Sequence, residues 1–189
     1  MIDTLQSLLE EQIKDLYSAE NQLLKALPEM AKTARSESLR EAFTNHLEET
    51  RRHVERLQEM AQTLEIAPGG KKCKGMEGLL AEGKEMMDED GEDASLDAGL
   101  IAAAQRVEHY EISAYGSARA LAERLEEETL VELLQATLDE EEAADKTLTG
   151  VSEEEILPSA TTTQSENSEG PADGPKSKKK TSHGSGSRR

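Results

Sequence analysis

Along four long stretches of this chain apolar residues recur at alternating steps of three and four, and that spacing restricts the body to packed helices. In the first, Ile2, Leu5, Leu9, Ile13, Leu16, Leu23, Leu27 and Met30 share one face, with Pro28 placed to bend its end. The second spans about 38–64, with Leu39, Phe43, Leu47, Val54, Leu57, Ala61 and Leu64 inward, and Pro68, Gly69 and Gly70 stop it. The third, about 96–125, repeats Leu100, Ala104, Val107, Ala114, Ala118, Leu121 and Leu125. The fourth uses Leu130, Leu133, Leu134, Leu138, Ala144 and Leu148. The turn between these last two lies within ERLEEET, which offers neither Gly nor Pro to mark it.

The connection between the second and third stretches is too long for a simple up-down-up-down arrangement. It holds one short amphipathic piece near 76–88, built on Met76, Leu79, Leu80, Met86 and Met87. Two tight pairs joined this way describe an all-α four-helix bundle with a crossover carrying a short extra helix. Composition agrees: with three Tyr, one Phe and no Trp, the core must come from aliphatic side chains. No stretch approaches the roughly 20 apolar residues that cross a bilayer, and the first residues lack a basic-then-apolar leader pattern. The single cysteine, Cys73, cannot form an internal disulfide. Cytoplasmic residence without membrane contact is the expectation.

The bundle domain is expected over 1–157, with a tail over 158–189 that is nearly free of apolar side chains and reads as disordered. Of 40 acidic and 22 basic residues, the tail holds three and six, which leaves the body at a net −21. Such a body repels nucleic acid. Only the tail could attract it, through weak and salt-sensitive contacts.

The buried stripes are interrupted by acids. Glu20 lies at the centre of the first arc and Glu111 at the centre of the third, with Glu108 one turn earlier. An ionised carboxylate in an apolar core costs several kcal/mol unless paired or bound to a cation. His46, Glu49 and His53 line an edge of the second arc; on the fourth, Glu140 flanks the arc and Glu141 falls close to its centre. Glu20 to Glu49 and Glu111 to Glu140 are both 29 residues, a weak internal repeat. Matched separations predict Glu20, Glu49, Glu111 and Glu140 at one height, with His46 and Glu108 adjoining. For Glu49 and Glu140 a solvated edge position and a ligand position both stay open, as does the choice between Glu140 and Glu141. His53 is expected at the surface or behind the ligands, and His109 points away. Tyr17 and Tyr115 are expected at the core edge, within reach of a hydrogen bond to the acids. Four helices each donating a carboxylate, with histidine assistance, are how di-iron and di-manganese sites are built.

The stretches DLYSAENQLLKAL, HLEET, KCKGMEGL, LIAAAQRVEHYEISAYG and LLQATLDEEEAAD resemble the YciE/YciF ferritin-like stress protein family over about residues 3–150. The resemblance implies a bacterial cytoplasmic ferritin-like bundle, usually dimeric, with a di-metal centre and no settled activity. It carries Glu20, His46 with Glu49, Glu108 with Glu111, and the acids of LDEE over as metal ligands. Two departures stand out. The ExxH pairs of ferritins are absent, and the glycine usual at the turn between the last two helices is replaced near Glu126.

Two functions follow as expectations. One is a stress protein whose di-iron or di-manganese centre oxidises Fe(II) or consumes peroxide. The other is a non-catalytic structural or interaction stress protein with a vestigial acidic core. Protection of DNA through the tail ranks below both.

Overall fold

The computed structural model describes residues 2–160; of the tail expected to be disordered over 158–189, residues 158–160 are helical, a correction, and the remainder with its basic end lies outside the described residues. Five helices follow in order: α1 (Leu5–Thr33), α2 (Glu37–Thr63), α3 (Lys74–Met87), α4 (Asp93–Arg124) and α5 (Glu128–Val151). A π-helical turn, Ser152–Ile156, extends α5, and helical backbone continues over 157–160. No strand occurs among the described residues. α1 packs on α2 and α4, and α5 on α4 and α2, so the long helices form a square with α3 laid over α1 and α4. This is the ferritin-like bundle with its crossover helix.

Local chemistry sets the ends. Thr4 and Ser7 form a reciprocal capping box at α1, and Ser36 caps α2 by accepting from Leu39 N–H. Between α1 and α2, the buried Asp97 carboxylate of α4 accepts backbone N–H groups from Arg35 at 2.9 Å and Ser36 at 2.7 Å. α1 runs through Pro28 to Thr33. The α4–α5 turn is a Schellman motif: Glu127 N–H donates to Ala122 C=O, Glu126 N–H donates to Glu123 C=O, and Glu126 takes φ 62°. The left-handed position is thus filled by glutamate, so no glycine marked the turn.

The crossover is fastened at the KCKGMEGL segment. Cys73 N–H donates to Ser18 Oγ, Gln22 donates to Cys73 C=O, and Cys73 Sγ lies 2.8 Å from Tyr110 Oη, which donates to Asp15. At Gly75 a β-carbon would come within 2.8 Å of the Tyr110 ring, so only glycine fits without displacing it. Two apolar clusters fill the interior, one around Leu27, Phe43, Leu100 and Leu148, the other around Leu9, Ile13, Leu57 and Leu130.

Candidate metal centre

Between those apolar clusters lies a layer of buried polar side chains: Glu20 from α1, His46, Thr50 and His53 from α2, Glu108 and Glu111 from α4, and Glu141 from α5. Their donor atoms form two groups, each with all atoms within 4.8 Å of one another. His46, Glu108, Glu111 and Glu141 make one; Glu20, His53 and Glu141 make the other. Glu141 belongs to both. His46 Nε2 lies 3.6 Å from Glu108 Oε1 and 3.7 Å from Glu141 Oε2, and His53 Nδ1 lies 3.0 Å from Glu141 Oε1 and 3.3 Å from Glu20 Oε1. Eight atoms of these six residues are buried without a hydrogen-bond partner, including both oxygens of Glu111 and of Glu141. Buried polar atoms are rarely left so. A set of oxygen and imidazole donors with unsatisfied lone pairs fits a metal ion, and this cluster could hold one.

Of the residues singled out from the sequence, Glu20, His46, Glu108, Glu111 and Glu141 converge. Glu49 and Glu140 stand outside both groups, each behind a histidine. Glu49 Oε2 is 3.4 Å from His46 Nδ1, and Glu140 Oε2 is 2.9 Å from His53 Nε2. Arg56 grips Glu140 with two bonds, 2.5 and 3.1 Å long. Each histidine thus has one nitrogen directed by a carboxylate and the other turned to the cluster, the usual arrangement behind a metal-ligating imidazole. Tyr115, fully buried, donates to Glu20 Oε1 at 2.5 Å. His109 is exposed, and Tyr17 accepts a hydrogen bond from Gln58 near the surface.

His53 corrects an expectation. It is fully buried at the cluster, not at the surface. The inward line of α2 runs Leu39, Phe43, His46, Thr50, His53, Leu57 and Met60, and its middle is polar. Apolar residues alone therefore traced only a flank of the arc. Glu111 follows Glu20, and Glu141 follows Thr50, by the same 91 residues. Where α5 offers the shared carboxylate, α2 has a small, buried Thr50, whose hydroxyl donates to His46 C=O. Arg56 had no signal in the periodicity.

Burial, with the neighbouring acids, drives the carboxyls of Glu108 and Glu111 well above their ordinary values, and burial raises Glu20 as well. Burial also opposes charge on the histidines, but the carboxylates outweigh it: Glu108 and Glu49 bring His46 to about 9, and Glu141 and Glu20 bring His53 to about 11. Against its own burial, Glu141 is held below its usual value by His53 and His46. Glu140 falls to about 2 despite partial burial, through Arg56 and His53.

A family model described as a domain of unknown function, DUF892, matches residues 4–161. Protein YciF of Escherichia coli K12 is 43% identical over 138 residues, spanning 72% of this chain and 83% of that protein. The chain belongs to the YciE/YciF family. The crystal structure of the E. coli stress protein YciF superposes with a TM-score of 0.77 at 40% identity, over 79% of this chain and 95% of that one. YcfI of Rhodopseudomonas palustris, described as a candidate structural protein, gives 0.76 at 40% identity over 78% and 94%. A dodecameric thioferritin related to bacterioferritin, from Bacteroides fragilis, gives 0.59 at 18% identity over 86% and 91%, a likeness of fold. The YciE/YciF chain described here shares that ferritin-like scaffold.

Proposed function

We propose that this chain is a stress protein holding two adjacent divalent ions, iron or manganese, with which it oxidises Fe(II) or consumes peroxide. The observation that carries the reading is the position of Glu141 in both ligand groups, with neither oxygen in a hydrogen bond of regular geometry although Oε1 lies 3.0 Å from His53 Nδ1. Four carboxylates, Glu20, Glu108, Glu111 and Glu141, balance two divalent charges when both histidines are neutral. Oxygen donors with two imidazoles and no thiolate suit iron or manganese. When bound, such a pair supplies two electrons, which with two protons reduce peroxide to two waters. The chain's own part is orientation and exclusion of water. Glu49 and Glu140 direct the histidines, Arg56 steadies Glu140, Tyr115 holds Glu20, and the apolar clusters cover the layer on two sides. The same reading takes the protein as a cytoplasmic homodimer, carried by the resemblance to its relatives and tested by light scattering.

Metal analysis of protein purified without chelator, followed by melting with Fe(II) or Mn(II), tests the proposal. Metal should raise the melting temperature by mass action, and Glu20→Ala combined with Glu111→Ala should remove that rise. Equal melting with and without excess metal would overturn it. The second reading, a non-catalytic structural protein with a vestigial acidic core, is favoured by one observation: His53 Nδ1 lies 3.3 Å from Glu20 and 3.0 Å from Glu141, where an imidazolium would offset part of the acidic charge without a metal.

A further inference from the structure

A cavity of about 180 Å³ opens between α2 and α5 beside the cluster. Its inner wall includes His46 and Glu108, and its outer walls include Ala42, Asn45, Ala144 and Thr147. Of the six cluster residues His46 and Glu108 line it, and Glu20, His53, Glu111 and Glu141 do not. Resting on the di-metal reading above, we propose that the two ligand groups are unequal: the His46–Glu108–Glu111–Glu141 group receives a small exogenous ligand through this gap, and the Glu20–His53–Glu141 group is closed.

Independent observations agree on the direction. Unpartnered atoms occur in both groups, but His46 and Glu108 retain 5% and 3% of their exposure, whereas Glu20, His53, Glu111 and Glu141 show 0%. The outer nitrogen of His53 is covered by Glu140, itself held by Arg56. Tyr115 closes Glu20 from another side. A void of this size is comparable with those that admit a single small molecule. The gap therefore has room for dioxygen, peroxide or azide and excludes an extended organic substrate. Ala42 of α2 and Ala144 of α5 both line it, so a leucine at either position would reduce it from a different helix without replacing a ligand residue.

The test is azide binding to the Co(II)-loaded protein, read from the visible absorption of the metal. Wild type should take up two Co(II) per chain and respond saturably to azide. Ala42→Leu and Ala144→Leu should keep the metal and raise the apparent azide dissociation constant at least tenfold. If one of the two unfolds or loses metal, the other, from the facing helix, decides. Unchanged azide affinity in a metal-replete filled variant would overturn the asymmetry while leaving the di-metal reading intact. Failure of wild type to bind Co(II) would overturn both.

Discussion

Glu141 Oε1 lies 3.0 Å from His53 Nδ1, and neither side chain has any exposed surface. The second oxygen of the same carboxylate faces His46, so one side chain serves both ligand groups. Glu141→Ala should therefore abolish uptake of both ions, measured as metal per chain. By the same logic Glu49→Ala, which removes a carboxylate outside both groups, should retain two. Loss of only one equivalent in Glu141→Ala would show that the groups do not share it.

Proton release gives the second prediction. His46 and His53, raised to about 9 and about 11, are imidazolium at neutral pH in the metal-free fold, whereas a ligating imidazole must be neutral. Because these values lie above the ordinary histidine value, their contribution to metal-free stability is full below about 6.5 and is lost as pH rises through 9 and 11. Metal then replaces what deprotonation removes. The metal-induced rise in melting temperature should grow from about pH 6 to about pH 9. Calorimetry in buffers of different ionisation enthalpy should register protons released per metal bound, and a pH-independent rise would contradict the linkage.

Arg56→Ala leaves every cluster residue in place but frees Glu140, which directs His53. Outer partners of this kind are worth about 10–100-fold in metal affinity. The expected result is weaker binding at unchanged stoichiometry, seen in competition with a chelator of known affinity.

Two helix ends carry glutamate at a left-handed position, Glu65 at φ 55° and Glu126 at φ 62°. A non-glycine residue there costs about 1 kcal/mol. Glu126→Gly should stabilise the fold by roughly 0.5–1 kcal/mol, read by chemical denaturation, since Glu126 is exposed.

Asp97→Ala should act oppositely. It orphans the two N–H groups at the α1–α2 turn, and losing bonds to a buried charged acceptor costs about 1.5–3 kcal/mol each. A midpoint within a few tenths of a kcal/mol of wild type would show that water replaces the carboxylate.

The sequence by itself determined the helices, the crossover and the presence of acids at the buried centres of α1 and α4. Helical periodicity is a local property, and Glu20 and Glu111 stand among leucine, valine and alanine neighbours that report it. Tertiary structure decided the rest. Adjacent residues such as Glu140 and Glu141 point about 100° apart, so which one enters the cluster depends on how α5 is rotated against α2 and α4. On α2 the polar middle of the inward face, His46–Thr50–His53, is invisible to a search for apolar residues, and His53 was misplaced for that reason. The α4–α5 turn at Glu126 was hidden in the same way. Its left-handed backbone is stabilised by the Schellman hydrogen bonds and by the packing of two long helices, not by the side chain that occupies it.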